Sequence, residues 1–329
     1  MQNSNKVLQF LGIPYSALLS VIFGLFLVSF PIGIYVVFES EIGGDINFEY
    51  PLTHLEMFHG TELYRAPLDV NIGDAFVVLW SFYVVLFVIA TLGPKYGFLK
   101  SLSCIISFGK YDDKPNYMIG ALKWFSILIF ISILINFIQE RFDILTTPPF
   151  VENNLTQFFY VTLAPLLEEF GFRLILIGIP LFALYSNKSS VKYFIQCLWN
   201  PSNLDLENPK KAIFLIIFVG VLFGFAHIAL GDSWSEGKFA QAAASGIILG
   251  WVYIRYGFVA ALLIHWATNY FVFSYANFIS QLNLISIEDA FSHSLMSSLE
   301  LLFIVSGALS IIILFVSRFY SKKVPDLEI

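Results

Sequence analysis

The chain has 329 residues, 57% of them hydrophobic and only 13% charged, with a mean hydropathy of +0.76. That balance excludes a soluble globular domain. A formal net charge of −6 likewise gives no footing for nucleic-acid binding.

Eight apolar stretches follow one another: Ala17–Phe38, Gly73–Leu92, Ile119–Ile138, Phe158–Tyr185, Ala212–Leu230, Phe239–Tyr256, Phe258–Phe278 and Leu299–Phe319. Most hold about 20 residues, enough to cross a hydrocarbon core of roughly 30 Å. The expected fold is therefore all-α and polytopic, with about eight transmembrane helices around a polar cavity. The first stretch is too long for a signal-peptide core and runs into acidic sequence, so it reads as a retained span. An acidic external loop, 39–72, follows it. The fourth stretch carries Pro165 and Pro180, which predict a kink or a shortened regular part. Val191–Trp199 reads as a short amphipathic helix at the membrane surface. In the sixth stretch Ala242, Gly246 and Gly250 recur every four residues, a spacing that lets helix backbones approach closely. No succession of alternating ten-residue strands suggests a β-barrel.

Fourteen of the eighteen lysines and arginines fall in the N-terminal tail, the 93–118 and 185–211 loops, the C-terminal tail, or at Lys123 and Arg255. Only Arg65, Arg141 and Lys238 lie at the other ends of the spans, and Arg173 lies within one. The positive-inside rule then places both termini in the cytoplasm, with an even number of crossings. Cys104 and Cys197 both fall on that cytoplasmic side and read as ordinary thiols rather than a disulfide. Three regions are expected: N-terminal spans with the acidic loop (1–156), a core (157–278), and an external loop with the last span and tail (279–329).

The ionisable groups deep in apolar sequence are few: Glu168, Glu169, Arg173, His227 and His265. A charge at membrane depth costs about 2.5–3.5 kcal/mol on insertion scales and marks a functional site by default. Arg173 lies four residues beyond Glu169 and can pair with it on one helix face. Glu168 points about 100° away and is left for another role. His227 follows Phe223 by four residues, and His265 precedes Asn269 by four, so each pair shares a face. Two imidazoles and a carboxylate could hold a zinc ion with an open position. Without metal, the carboxylate could activate a water while the histidines and Asn269 stabilise an oxyanion. The bland alternative is a neutralised cluster that only fixes helix packing. A His-Glu-x-x-His helix and an intramembrane aspartate pair are both missing, and Ser245 sits in the small-residue stripe, which suits packing better than a serine dyad.

Glu168-Glu169-Phe170-Gly171-Phe172-Arg173 fits an EExxxR motif, Phe223 to His227 fits FxxxH, and His265 to Asn269 fits HxxxN. In that order on three helices they resemble the CPBP family, the CAAX protease and bacteriocin-processing (ABI) proteins, over roughly Gln157 to Tyr275. The resemblance implies hydrolysis of peptide bonds within the membrane, with Glu168 as the water-activating base and His227, His265 and Asn269 completing a catalytic centre. Glu168, His227 and His265 would be the ligands if that centre holds Zn2+; a glutamate-only mechanism needs no cofactor. Glu169 and Arg173 would hold the motif helix, and Phe223 would support the site. The implied partners are membrane lipids and a peptide or lipidated protein, including prenylated CAAX-type substrates, in a prokaryotic cell membrane. Cytoplasmic access follows from the same resemblance. The rival reading is a non-enzymatic scaffold or bacteriocin-immunity-type protein. An ion or solute transporter fits less well, since no paired broken helices recur.

Helix rise creates one tension. At about 1.5 Å per residue, Glu168 lies roughly 15 Å from the outer edge, and His265 about 10 Å from the inner edge. His227 comes out at roughly 22 Å from the inner edge by the same measure. Tilt, a kink, or a fifth helix starting below the bilayer would be needed to bring them together.

Overall fold

The computed structural model describes residues 6–39, 51–56, 65–109, 111, 116–147, 153–188, 190–204, 209–229 and 234–321. Much of the acidic loop, with Glu41, Asp45, Glu49 and Glu62, and also His59 and Asp232, lies outside the described residues.

Helices dominate, as expected where a hydrocarbon solvent leaves each backbone N–H and C=O to be satisfied within its own segment. Helix α1 (Lys6–Phe38) starts eleven residues before the apolar stretch and carries Pro14 and Pro31. Two strands follow, β1 (Pro51–Glu56) and β2 (Arg65–Asn71), paired antiparallel with an irregularity between Leu52 and His54. This hairpin within the 39–72 segment is not legible in the apolar pattern. Helices α2 (Ile72–Leu92) and α4 (Tyr117–Glu140) flank a short amphipathic α3 (Phe98–Phe108), where the sequence suggested only a loop. Helix α5 (Asn154–Glu169) passes into a π-helix, Phe170–Gly178, and resumes as α-helix over Ile179–Tyr185. Pro180, which has no N–H to donate, sits where the α-helix resumes. Helix α6 (Val191–Trp199) has the expected bounds.

Helices α7 (Pro209–Ala229) and α8 (Lys238–Tyr256) come next. Helix α9 (Phe258–Trp266) runs through a π-turn, Ala267–Phe271, into Val272–Asn283. The short α10 (Ile287–Phe291) and the long α11 (Ser294–Ser321) finish the chain.

Among the described residues six helices are long and apolar enough to cross a membrane: α1, α2, α4, α7, the continuous α9 and α11. The expected count of eight is thus not confirmed. The two stretches that drop out are the π-interrupted α5 path and α8, whose Lys238, Gln241, Ser245 and Arg255 dilute its apolar character.

Packing fixes the register of these helices. Gly220 of α7 and Gly246 of α8 meet almost backbone to backbone: a Cβ at Gly246 would lie 2.9 Å from the Gly220 Cα and 3.0 Å from the Phe223 Cβ. The pairs Gly250 with Ile216 and Gly224 with Phe239 continue the same antiparallel register. The small-residue stripe therefore acts as the sequence indicated, as a packing device.

Contacts also sort the helix ends into two groups. At one end the Tyr111 hydroxyl donates to the Leu8 carbonyl, Asn116 Nδ2 to the carbonyls of Thr91 and Tyr96, and the Tyr253 hydroxyl to Leu198. The Lys123 ammonium lies 5.9 Å from the Tyr256 ring there. At the other end Gln139 Nε2 donates to the Gly237 carbonyl and the Trp234 N–H to the His227 carbonyl. Every described basic residue of the lysine-rich group belongs to the first end; the β-hairpin joins α1 and α2 at the second.

Overpacking a tight helix contact costs about 1–3 kcal/mol. Gly246→Leu is accordingly expected to lower the melting temperature of the detergent-purified protein clearly. Gly24→Ala, whose Cβ meets nothing within 4 Å, is expected to leave it nearly unchanged.

Candidate active site

Three helices bring the motif residues to one place. The Glu169 carboxylate, completely buried, accepts from Arg173 Nε through Oε2 at 2.9 Å and from His265 Nδ1 through Oε1 at 3.0 Å. The i,i+4 pairing expected from sequence is present. The tertiary fold adds a histidine from α9 as a second donor. Because Glu169 is an acceptor, Nδ1 of His265 carries the proton and Nε2 is the outward nitrogen. That Nε2 lies 3.6 Å from Oε2 of Glu168, so the two adjacent glutamates grip opposite edges of one imidazole. Glu168 differs from its neighbour in keeping 27% of its side chain exposed.

Arg173 is fully buried, yet its Nη1 and Nη2 have no hydrogen-bond partner. Its guanidinium instead lies over the Phe223 ring, 5.3 Å from the centroid. A desolvated cation–π contact of this kind contributes up to about 2 kcal/mol and offsets part of that deficit. Phe223 also meets the His265 ring at 5.8 Å, the Phe172 ring edge-on at 4.9 Å, and the His227 ring at 4.6 Å. One aromatic ring therefore separates and aligns the two imidazoles.

His227 donates from Nδ1 to the Phe223 carbonyl at 2.9 Å, which leaves its Nε2 unengaged. It stands two residues from the end of α7, above His265, so the height difference found from helix rise is real. The Phe223 ring bridges it. Asn269 lies in the π-turn one turn beyond His265 and is partly exposed; no side-chain hydrogen bond ties it to the other residues. Both paired motifs on α5 and α9 border π-helical segments, a geometry that recurs at functional sites because it re-aims side chains within a helix.

Two neighbours escaped the sequence reading. Tyr83 of α2 is completely buried, stacks on Trp266 at 5.1 Å, and has a hydroxyl without a hydrogen bond within electrostatic reach of Glu169 and Glu168. Lys238, the first residue of α8, lies over Trp234 at 4.2 Å, and Trp234 is bonded to the His227 backbone. Neither sits in a motif, and no local pattern signals them.

Metal binding has a simple geometric test. Both histidines have Nδ1 held by an acceptor and Nε2 left outward, as metal-ligating histidines do. Among the described residues, however, no group of three or more His, Cys, Asp or Glu side chains is arranged to hold an ion. Glu168 and His265 are paired, while His227 stands off behind Phe223, so the residues as arranged do not form a three-donor site.

The arrangement defines a class: an integral membrane protein of many helices with an acid–imidazole centre enclosed among them. Residues 151–271 match the family described as Rce1-like, type II CAAX prenyl endopeptidase. Through that segment, which holds all the motif residues, the chain belongs to the CAAX protease family. No curated protein and no solved structure matches the chain.

Removing one partner of a buried ion pair costs about 3–5 kcal/mol, because the other charge is left uncompensated. Arg173→Met is expected to destabilise by that order, read as a fall in melting temperature. Adding Glu169→Gln to it should restore part of the loss, since the stranded carboxylate is then gone.

Proposed function

We propose that the protein is an intramembrane endopeptidase in which Glu168 activates the attacking water. The observation that carries this reading is the division of labour between adjacent glutamates. Glu169 is consumed by Arg173 and His265, whereas Glu168 is the one carboxylate of the cluster that is partly open and without a hydrogen bond at Oε2. A group that must exchange protons with water needs that access; a purely structural ion pair does not.

In this mechanism Glu168 takes a proton from a water on its open side, and the oxygen attacks the scissile carbonyl carbon. The C=O electron pair moves onto oxygen, and donors at Asn269 Nδ2 and protonated His227 Nε2 stabilise the oxyanion. Collapse of the tetrahedral species breaks the C–N bond, and the leaving amine takes the proton back from Glu168. His265, clamped at Nδ1 by Glu169, holds its Nε2 beside the Glu168 carboxylate and so fixes the base in place. Zinc, which the family resemblance allowed, has no three-donor set here, and no step is routed through it. The substrates are peptides of membrane-associated or lipidated proteins.

General-base catalysis contributes roughly 10²–10⁴ in rate. Glu168→Gln should lose cleavage by that factor in proteoliposomes carrying a fluorogenic lipopeptide, with its melting temperature unchanged because the side chain is partly open. Metal analysis of the active purified protein should find less than one equivalent of zinc. Cleavage by Glu168→Gln within twofold of the parent would sink the mechanism. A variant that unfolds along with losing activity would instead favour the scaffold reading.

A further inference from the structure

The three helices that build the centre share one gradient of exposure. On α5, Glu168 is partly open, whereas Glu169, Arg173, Ile177 and Leu181, successive residues of one face toward the lysine-rich end, are all completely buried. On α7, His227 is partly open, while Phe223, Val219, Ile216 and Ala212, stepping toward the same end, are buried. Helix α9 runs the opposite way and reverses the order: Phe258, Ala261, Leu262 and His265 are buried, and Thr268 and Asn269 just beyond them are partly open. Below the centre Gly178 abuts the Tyr253 hydroxyl and Leu198, so α6 and the foot of α8 close that side. Antiparallel helices with independent sequences agree, and the shared direction is toward the hairpin end.

Charge places that end relative to the membrane. The sealed end gathers Lys123, Lys188, Lys192, Arg255 and Arg318, whereas the open end has Arg141 and Lys238 among the described residues whose side chains are placed. A lysine- and arginine-rich end faces the cytoplasm.

We propose that the catalytic centre is entered from the non-cytoplasmic face, and that its substrate is a peptide segment displayed on that face by a membrane-anchored protein. This rests on the endopeptidase reading for the word substrate, and on packing and charge alone for the direction of entry. It reverses the cytoplasmic access expected from family resemblance. The reason is that the buried layers beneath His265 and Arg173 leave no wet route from the lysine-rich end.

Single-cysteine variants of the full chain test it without any need for cleavage. In a Cys104→Ser/Cys197→Ala background, His227→Cys reports the centre, Glu236→Cys the hairpin end and Lys192→Cys the lysine-rich end. Sealed right-side-out vesicles are treated with a charged, membrane-impermeant thiosulfonate. His227→Cys and Glu236→Cys should react at least tenfold faster than Lys192→Cys, and inside-out vesicles should reverse the order. Reaction of His227→Cys together with Lys192→Cys overturns the proposal, as does failure of a folded His227→Cys to react from either side. Labelling is independent of proteolysis, so a failure here is distinct from the retained cleavage by Glu168→Gln that would sink the mechanism.

Discussion

The centre depends on one carboxylate shared between two cations-in-waiting. Glu169, buried without any exposed surface, is held at one oxygen by Arg173 from its own helix and at the other by His265 from α9. A buried carboxylate left alone would cost far more than the fold could spare, so each donor is obligatory. The arginine fixes the rotamer of Glu169; the histidine converts that fixed side chain into a link between helices. Because the link uses Nδ1, the tautomer and the direction of Nε2 follow, and with them the position of Glu168.

Around that link the helices must approach closely without losing order. The Gly220–Gly246 contact lets α7 lie against α8 at backbone distance and sets the height of Phe223. Phe223 then touches both imidazoles and the arginine, so a packing residue decides how far apart the polar groups stand. On the other side Trp266, the neighbour of His265, stacks with Tyr83, Tyr270 and Phe30. That aromatic layer joins α9 to α1 and α2 and gives the N-terminal helices a part in holding the centre, although they carry none of its motifs.

Rigidity and openness are distributed along the same axis. Toward the lysine-rich end the centre is closed by completely buried side chains, where a water-accessible void would cost packing energy and invite leakage. Toward the hairpin end the helical faces open at Glu168, His227 and Asn269, the three groups to which the proposed chemistry assigns water and oxyanion. The structural members of the cluster lie on the dry side of the chemical members. The order along each helix therefore matches what hydrolysis requires: a desolvated support and a wet edge.

Composition and apolar run length were enough to establish a helical membrane protein, because the bilayer imposes a length and a polarity that can be counted along the chain. The i,i+4 spacing of Glu169 with Arg173, and the motif order Glu168, His227, His265, Asn269, were equally legible, since both are local. The β-hairpin, α3 and the two π-helical segments were not: they depend on hydrogen-bond patterns to which apolar periodicity is blind. Nor could the sequence say that His265 would bond Glu169, with 96 residues between them, or that Tyr83 and Lys238 would border the centre. Chain order specifies which groups are available; only the packing of α5, α7 and α9 decides which nitrogen meets which oxygen. Hydrogen bonds reach about 3 Å, and no one-dimensional pattern carries information on that scale between helices.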